Sequence, residues 1–464
     1  MNSEWMSQLK ESGQQHLLQY FEALDEGSQA RLLEQFREID FPLVQDLFGK
    51  FGQADEWGEL ARQAEPPAAI RLQGAPNGFA SRDEAMQRGE EAIANGEVGM
   101  VMVAGGQGSR LGFAHPKGLF PIGPVSGRTL LQIHIDKLKS INDKYGSSIP
   151  LYVMTSPATH HETTDFLERN QWFGYPTEHT AIFCQGTMPA VDAETGRMIM
   201  AERDQLFLSP DGHGGMLSAL TKSGSLNDMK LRGIEQIFYC QIDNPLAQIC
   251  DPVTIGHHVL AASEMTCQAV PKRDPLQKVG NIVSIEGRTQ IIEYSDLPEA
   301  VARKTNPDGT LMLWAGSIAV HVIDVAFLDR MTEYADALPF HLAHKKVPFL
   351  NSEGVLIEPS EPNALKFERF IFDLLPQAKQ AIVIEVDPQE AFSPVKNAPT
   401  EKSNTALTAQ QAMIAQATRV LAGAEVTVAE GVAVEMHPAL AIDQERLAIA
   451  LQGQKHIVEP TYFQ

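Results

Sequence analysis

Cysteine is scarce in this sequence, and the positions of the cysteines argue against two kinds of cysteine site. The four among 464 residues are Cys184, Cys240, Cys250 and Cys267, and no two form a CxxC pair. Each lies in or beside an apolar run, so we expect reduced, buried side chains rather than a disulfide framework or a zinc site. This usage is typical of a reducing compartment.

Long apolar runs are also missing. No stretch approaches the about 18 apolar residues that a membrane-spanning helix needs. The first residues, MNSEWMSQLKESGQQ, lack the basic segment and apolar core of a signal peptide. We therefore expect a cytoplasmic protein without export signal or membrane anchor.

Positive charge is outnumbered by negative charge. The sequence has 37 Lys and Arg against 59 Asp and Glu, a net charge of -22. Because this field repels nucleic acid and anionic membranes, we expect neither as a partner. The simplest explanation of the acidity is solubility, and an anionic small substrate would need a local cationic pocket.

The two common phosphate-binding loops are absent, since GxxxxGKS/T does not occur and the glycine spacing does not fit GxGxxG. A different glycine-rich turn, AGGQGSRLG at 104–112, follows the apolar run VGMVMVA and precedes Pro116 and Lys117. Glycines let backbone N–H groups approach phosphate oxygens, and Arg110 and Lys117 add positive charge. A tight turn without a ligand would explain the glycines alone, but the flanking cations favour an anion cradle.

The length and the hydrophobic pattern predict one large domain with smaller appendages. We expect a helical N-terminal segment at 1–95, a catalytic domain at 96–380 and a small C-terminal domain at 381–464. A stretch at 64–76, rich in Pro, Ala and Gly, predicts a linker, and a helix is expected at 81–94.

Continuous apolar runs alternate with helical patterns through the central part of the chain. Examples are LYVMTS and IEQIFYCQID as strands, and THHETTDFLERN and DPVTIGHHVLAASE as helices. This alternation predicts a doubly wound α/β sheet that binds ligands at the carboxyl ends of its strands. An apolar strand, AIVIEV, and a helix at 405–421 are expected near the C-terminus.

Eight segments, in order along the chain, resemble the eukaryotic-type UDP-sugar pyrophosphorylases, and most closely the UDP-N-acetylglucosamine pyrophosphorylases. The first is GGQGSRLG with Pro116 and Lys117. The others are FCQGTMPA (183–190), SPDGHGG (209–215), FYCQIDNPL (238–246), IIEYSDLP (291–298), LPFHLAHKKVP (338–348), KFERFIFD (366–373) and FSPVKNAP (392–399). The resemblance implies a Rossmann-like nucleotidyltransferase domain of GT-A type with a mixed, mostly parallel sheet. It implies uridylyl transfer from UTP to a sugar 1-phosphate.

The resemblance also implies roles for single residues in nucleotide binding and catalysis. Gly105, Gly106, Gln185, Gly214, Gly215 and Lys366 would bind the nucleotide, and Arg110, Lys117 and Lys396 would be catalytic cations at the phosphates. Asp243 would bind Mg²⁺. Without the family, Gln185 would be an ordinary loop amide, Asp243 a turn cap, and Lys366 and Lys396 solvated surface charges.

The predicted sugar site departs from the family pattern at one point. Glu293 and Tyr294 match the segment that would meet sugar hydroxyls. The family's Asn-Ala-Gly-Asn is replaced here by Trp314, Ala315, Gly316 and Ser317, so two amides are lost while His321 is kept. Trp314 would pack on an acetyl methyl group or on a bare pyranose face.

N-Acetylglucosamine 1-phosphate is the expected acceptor, and two alternatives stay open. Glucose 1-phosphate is favoured by the missing asparagines. A catalytically inactive nucleotide-sugar-binding protein is disfavoured by the full set of charged residues. The protein is expected to be a monomer or a homodimer.

The histidines do not predict a zinc site. Two pairs, His160 with His161 and His257 with His258, are adjacent in sequence, and His341 and His344 have no third ligand nearby. We expect these side chains on helix surfaces or in packing contacts.

Overall fold

The computed structural model describes residues 3–51, 56–73 and 78–464. The chain forms two compact units, each built from separated segments. The small unit comprises Met1–Asp55, Gln185–Met216 and Asp336–Asp373, and the large unit comprises Glu56–Cys184, Leu217–Ala335 and Leu374–Gln464. The domain boundaries at 95 and 380 stay a prediction. Within the described ranges, no helix is long and apolar enough to cross a membrane.

A ten-stranded mixed sheet forms the framework of the large unit, as the α/β prediction requires. The strands are β1 (Ala69–Ile70), β2 (Val98–Val103), β3 (Leu151–Thr155), β4 (Thr180–Cys184), β5 (Gln236–Gln241), β6 (Met265–Pro271), β7 (Asn281–Ile285), β8 (Arg288–Ile292), β9 (Ala315–Asp324) and β10 (Ala381–Glu385). Their order is β1-β10-β6-β9-β5-β2-β3-β4, and β7 pairs with β8 and β9. Strand β9 is antiparallel to β5 and β6, whereas β5, β2, β3 and β4 are mutually parallel.

This topology brings several strand ends to one edge of the sheet. Gln241 at the end of β5 pairs with Val103 at the end of β2, and the N–H of Ile242 donates to the carbonyl of Val103. Because β9 runs in the opposite direction, its first residues lie at this same edge. The loops that follow β2 and β5 therefore leave the sheet side by side, where an open sheet binds ligands.

Helices cover the sheet as the sequence pattern predicts. The longest described helices of this unit are α1 (Arg82–Ala94), α2 (Leu130–Tyr145), α3 (Pro157–Arg169), α4 (Pro252–Leu260) and α5 (Ala406–Gly423). Ser81 caps α1 through a capping box with Glu84, and Thr405 caps α5. The predicted helices at 81–94 and 405–421 are confirmed to within about two residues.

The predicted linker at 64–76 has a structural role that its composition did not indicate. Ala69 and Ile70 form β1, which pairs in parallel with Val383 and Ile384 of β10. Residues 74–76 of that prediction lie outside the described residues.

The small unit is a separate hydrophobic core around short strands. Its first stretch contains the helices Ser3–Glu11, Glu26–Glu38 and Phe41–Gly49 and the 3₁₀ turns Gln15–Leu18 and Phe21–Ala23. Strands His341–Lys345, Ala364–Glu368 and Val191–Asp192 form its three-stranded sheet. Side chains such as Leu32, Phe36 and Phe367 are fully buried between them.

The C-terminal residues of the large unit fold around their own apolar cluster. Strands Thr427–Val428 and Val434–Met436 pair in parallel with His456–Ile457 and Thr461–Phe463. Two short helices, Pro438–Ala441 and Gln444–Leu451, lie between these strands in sequence. Leu421 of α5 belongs to the same cluster, so α5 joins this part to the rest of the unit.

The expectation for Cys184 is wrong, and His341 takes the packing alternative. Cys240, Cys250 and Cys267 are buried, but Cys184 is exposed because it ends β4, the last strand of the sheet. His341 and His344 lie on a strand rather than a helix, and the ring of His341 bonds to the Asp373 carboxylate at 3.0 Å. His257 and His258 are buried packing residues on α4, as expected.

Candidate active site

The glycine-rich loop after β2 folds back on itself and brings its two ends together. The N–H of Lys117 donates to the carbonyl of Gly106 at 2.9 Å, and the N–H of Gly108 donates to the carbonyl of His115 at 2.9 Å. The hydroxyl of Ser156, after β3, donates to the carbonyl of Gly105 at 2.7 Å. The loop is thus fixed to the sheet edge at Gly105 and closed between Gly106 and Lys117.

Gly106 and Gly108 of this loop differ in whether the fold itself requires glycine. A Cβ atom on Gly108 would lie 2.8 Å from the backbone oxygens of Phe113 and His115, so the closed loop itself requires glycine there. A Cβ on Gly106 would meet only the Cε atom of Lys117, at 4.0 Å. The fold alone leaves room for a side chain at Gly106, and that open space is available to a ligand.

Two predicted cations converge on the predicted metal ligand. The Nζ atoms of Lys117 and Lys396 lie 3.6 Å and 3.9 Å from the same oxygen, Oδ2 of Asp243. The Asp243 side chain is 11% exposed and that of Lys117 is 16% exposed, so both lie in a pocket that water reaches poorly. Closure of the loop against Gly106 turns the side chain of Lys117 inward.

Asp243 is held by contacts from both sides of its backbone. The Nε2–H of the buried His134, on α2, donates to the carbonyl of Ile242 at 3.1 Å, and burial lowers the pKa of His134 to about 3. The N–H of Val395 donates to the carbonyl of Asp243 at 2.8 Å. These bonds connect the end of β5 with α2 and with the segment that carries Lys396.

The neighbouring Asn244 strengthens that connection. Its Nδ2 atom donates to the carbonyl of Ala391 at 2.8 Å, and its Oδ1 atom accepts the N–H of Ser393 at 3.0 Å. A turn cap was the alternative role for Asp243, but the side-chain bonds at this turn come from Asn244 and run to the distant 391–393 backbone. The carboxylate of Asp243 is directed to the two lysines instead.

Arg110 lies on the 3₁₀ turn Ser109–Leu111, on the solvent side of the loop. It is exposed, and it forms no ion pair with a residue in the described ranges. Its guanidinium is therefore accessible to an anionic ligand, as the sequence predicts for this position.

Most of the predicted sugar residues lie together at the same sheet edge. The N–H of Ser317 donates to the carbonyl of Gly280 at 2.8 Å. A Cβ on Gly280 would lie 3.3 Å from Oε1 of Glu293 and 3.7 Å from Cβ of Ser317. Gly316 pairs with Asn281 of β7, and Tyr294 is exposed beside Glu293.

One face of the Trp314 ring is already covered by the protein. The guanidinium carbon of Arg71 lies 3.7 Å from the ring centroid, and Arg71 also donates to the carboxylate of Glu385 at 2.6 Å. Because this cation–π contact occupies one face of the Trp314 ring, only the other face remains for packing on a sugar.

Sequence reasoning missed two polar residues in this part of the site. Lys272, at the end of β6, is buried, and its Nζ atom donates to Oδ1 of Asn281. Burial lowers the pKa of Lys272 to about 8. Asn281 also donates to the carbonyl of Ile292. Because Asn281 pairs with Gly316, the buried amide of Asn281 and the amine of Lys272 lie next to Gly316. Neither Lys272 nor Asn281 belongs to a sequence motif, although Lys272 comes directly after the apolar run that forms β6.

The remaining predicted nucleotide residues lie in the small unit. Gln185 is buried, and Lys366 lies on the strand Ala364–Glu368 with its Nζ atom 4.8 Å from the ring of Phe207. A Cβ on Gly215 would lie 2.2 Å from Asp211, and one on Gly214 would lie 2.6 Å from the backbone of Phe370. Close packing within the small unit therefore explains glycine at both positions. Their contact with a nucleotide stays a prediction.

The donor set around Asp243 fits a magnesium ion better than a metal held wholly by protein. Among the residues that the structure describes, no group of three or more His, Cys, Asp or Glu side chains could hold a metal. Mg²⁺ is commonly bound by one or two carboxylates together with water and substrate phosphates. The single carboxylate of Asp243 at a phosphate-binding loop is compatible with that mode.

A family model and a known relative both match this chain over most of its length. Residues 76–431 match the family model described as UTP–glucose-1-phosphate uridylyltransferase. The chain is 34% identical over 453 residues to the UDP-N-acetylglucosamine pyrophosphorylase of Saccharomyces cerevisiae, covering 94% of this chain and 95% of that protein.

Two further relatives agree with this match. The UDP-N-acetylhexosamine pyrophosphorylase-like protein 1 of Mus musculus is 34% identical over 426 residues, which cover 88% of this chain and 83% of that protein. The crystal structure of the UDP-N-acetylglucosamine pyrophosphorylase of Trypanosoma brucei superimposes with a TM-score of 0.81 at 26% identity, covering 100% of this chain and 98% of that one.

Proposed function

The chain belongs to the UTP–glucose-1-phosphate uridylyltransferase family, and from this we propose that it converts UTP and N-acetylglucosamine 1-phosphate into UDP-N-acetylglucosamine and pyrophosphate. It is an enzyme of the UDP-sugar pyrophosphorylase type. The observation that supports the chemistry best is the approach of Lys117 and Lys396 to Asp243, at the mouth of a glycine loop that leaves open space at Gly106.

The reaction is an in-line displacement at phosphorus. An oxygen of the sugar 1-phosphate attacks the α-phosphorus of UTP, and the bond to the β,γ-pyrophosphate breaks. Because the attacking oxygen is already anionic near neutral pH, no general base is required. The residues have to align two anions and to neutralise the charge that moves to the leaving group.

The cations of the site suit that task. Lys117 and Lys396 would contact the phosphate groups, and the exposed Arg110 would bind a phosphate of the nucleotide through its planar guanidinium. Asp243 would hold Mg²⁺, which would supply further positive charge for the transfer. One phosphoanhydride replaces another, so the reaction is expected to run readily in both directions.

The acceptor is assigned from the named relatives and from polar groups beside Gly316. The yeast and trypanosomal relatives are named for N-acetylglucosamine. The amide of Asn281 and the amine of Lys272 lie next to Gly316 in this chain and would offer hydrogen bonds to a sugar substituent, although the family's two asparagines are replaced. Glucose 1-phosphate is the second candidate, because Trp314 and Ser317 occupy those two positions.

Pyrophosphate release with UTP and each sugar 1-phosphate tests this proposal. Glucose, N-acetylglucosamine and N-acetylgalactosamine 1-phosphates should be compared at equal concentrations. We expect the highest kcat/KM with N-acetylglucosamine 1-phosphate. A higher kcat/KM with glucose 1-phosphate would assign the second candidate. Binding of UDP-sugar without turnover of any acceptor would indicate the inactive binding protein.

A further inference from the structure

A cavity of about 380 Å³ lies within the large unit, outside the candidate active site. Its walls come from α2, from the loop that follows Asn244, from α5 and from the C-terminal residues. Its volume lies in the range of small-molecule sites. Apolar side chains line much of it, among them Met86, Ile133, Leu246, Ile249, Met413 and Val420.

The carboxylates in the wall are already paired. Asp136 forms an ion pair with Arg128, and Glu435 accepts hydrogen bonds from the backbone of Val125 and the hydroxyl of Ser126. Glu390 binds Arg419 at 2.5 Å, and Asp251 caps α4 through the N–H of Thr254 at 3.0 Å. Arginines therefore balance the charges of Asp136 and Glu390, whereas Glu435 and Asp251 are stabilised by backbone N–H and hydroxyl donors.

Two lysines in the wall lack a counter-charge. Neither Lys137 nor Lys144 has a carboxylate within ion-pair distance in the part of the chain that the structure describes. The ammonium of Lys137 donates to the carbonyls of Pro245 and Ala247, which leaves its charge unbalanced. Lys144 lies 5.0 Å from the ring of Tyr145. The hydroxyl of Tyr462 is buried, and it has no hydrogen-bond partner among the residues that the structure describes.

Lys137 also connects the cavity with the active site. Its two carbonyl partners, at 2.6 Å and 2.9 Å, lie two and four residues after Asp243. Leu246 and Ile249, in the same loop, form part of the cavity wall. A molecule bound in the cavity would therefore contact the loop that positions the Asp243 carboxylate.

We propose that this cavity binds a small organic anion, a carboxylate with an apolar body, and that its binding alters the rate of uridylyl transfer. The apolar body packs against the methionine and isoleucine side chains, and the carboxylate offsets one of the two unbalanced positive charges of Lys137 and Lys144. Burial of the apolar body supplies most of the affinity, and the charges select the anion. The binding part of this inference is independent of the proposed function, whereas the rate effect depends on it.

Titration calorimetry with octanoate tests the binding part. We expect saturable binding of octanoate, and binding about tenfold or more weaker for 1-octanol and octylamine, which have the same chain without negative charge. Lys144→Glu should weaken octanoate binding about tenfold or more. Lys222→Glu, at an exposed position on the helix Met216–Lys222, is the matched control and should keep the wild-type affinity.

A second variant tests the location. Met413→Trp fills part of the cavity and should abolish octanoate binding while the melting temperature stays near that of the wild type. Absence of saturable binding to the wild-type protein, equal binding of octanoate and octanol, or unchanged binding to both variants would each overturn the proposal.

The rate effect is measured separately, as pyrophosphate release with and without saturating octanoate. We expect at least a twofold change for the wild type and none for Met413→Trp. An equal change in both would overturn the connection through the 245–247 loop. If no pyrophosphate is released even without octanoate, the proposed function fails, while calorimetry still decides whether the cavity binds the anion.

Discussion

The ammonium of Lys117 lies 3.6 Å from the Oδ2 atom of Asp243, although 126 positions separate the two residues in the chain (243 − 117). The parallel pairing of β2 with β5 produces this proximity, because it places the glycine loop and Asp243 at adjacent strand ends. The residues proposed to bind phosphate and Mg²⁺ are thus neighbours in the fold itself.

Lys117→Ala removes the cation that lies closest to Asp243. We expect kcat to fall about 100-fold or more, because a charge aimed at the transferring phosphate acts mainly in the transition state. The melting temperature should change little, since Lys396 still lies 3.9 Å from Asp243. Steady-state kinetics and thermal unfolding check this, with Lys222→Ala as the control at an exposed lysine. A variant that keeps near wild-type turnover would remove Lys117 from the mechanism.

Asp243→Asn keeps the shape of the side chain but removes its charge. We expect a large loss of turnover and a shift of the Mg²⁺ activation curve to higher concentration, because a carboxylate oxygen binds Mg²⁺ better than a neutral amide. The measurement is turnover as a function of Mg²⁺ concentration. Asp83→Asn, on the exposed first turn of α1, is the control. An unchanged activation curve would contradict the metal assignment.

Gly106 and Gly108 should respond differently to alanine. Gly108→Ala forces a Cβ to within 2.8 Å of two backbone oxygens and should lower the melting temperature. Gly106→Ala meets no atom closer than 4.0 Å, so the fold should tolerate it, but its KM for UTP should rise because the methyl group occupies phosphate space. Thermal unfolding and UTP kinetics on both variants distinguish the two roles. An unchanged KM for Gly106→Ala would show that no phosphate approaches this glycine.

Stability should depend on pH through the buried His258 on α4. Burial lowers its pKa from 6.5 to about 3, and its Nδ1 atom bonds to the hydroxyl of Thr266 at 2.8 Å. Between these two pKa values the unfolded chain binds the proton and the folded protein does not. The stabilisation by this group is therefore complete above about pH 6.5 and is lost as the pH falls toward 3.

Urea unfolding of the wild type and His258→Asn measures this effect. We expect the stability advantage of the wild type to shrink as the pH falls from 6.5 toward 4, by up to about 1.4 kcal/mol per pH unit. A difference that stays constant across this range would show that His258 does not carry the predicted pKa shift.

The alternation of apolar runs and helical patterns was sufficient to predict the α/β sheet and the strands that precede the glycine loop and Asp243. Parallel strands end at one edge, so the proximity of Lys117 and Asp243 follows from the class of fold. The position of Lys396 followed from family resemblance alone, since nothing local distinguishes it from a surface lysine. Its place depends on the bonds of Asn244 and Asp243 to the 391–395 backbone.

Other features left no signal in the sequence pattern. The small unit assembles three stretches of chain separated by more than a hundred residues. Lys272 and Asn281 meet only because β6 and β7 both approach the start of β9. The inward orientation of Lys117 likewise depends on closure of the loop, which the glycine spacing did not specify.

The fate of the α-phosphate tests the central claim most directly. UTP labelled at its α-phosphorus should be incubated with N-acetylglucosamine 1-phosphate, Mg²⁺ and either the wild-type protein or Lys117→Ala. We predict that the label appears in UDP-N-acetylglucosamine with the wild type and at least about 100-fold more slowly with the variant. Label that stays in UTP, or appears in UMP without a UDP-sugar, would contradict uridylyl transfer at this site.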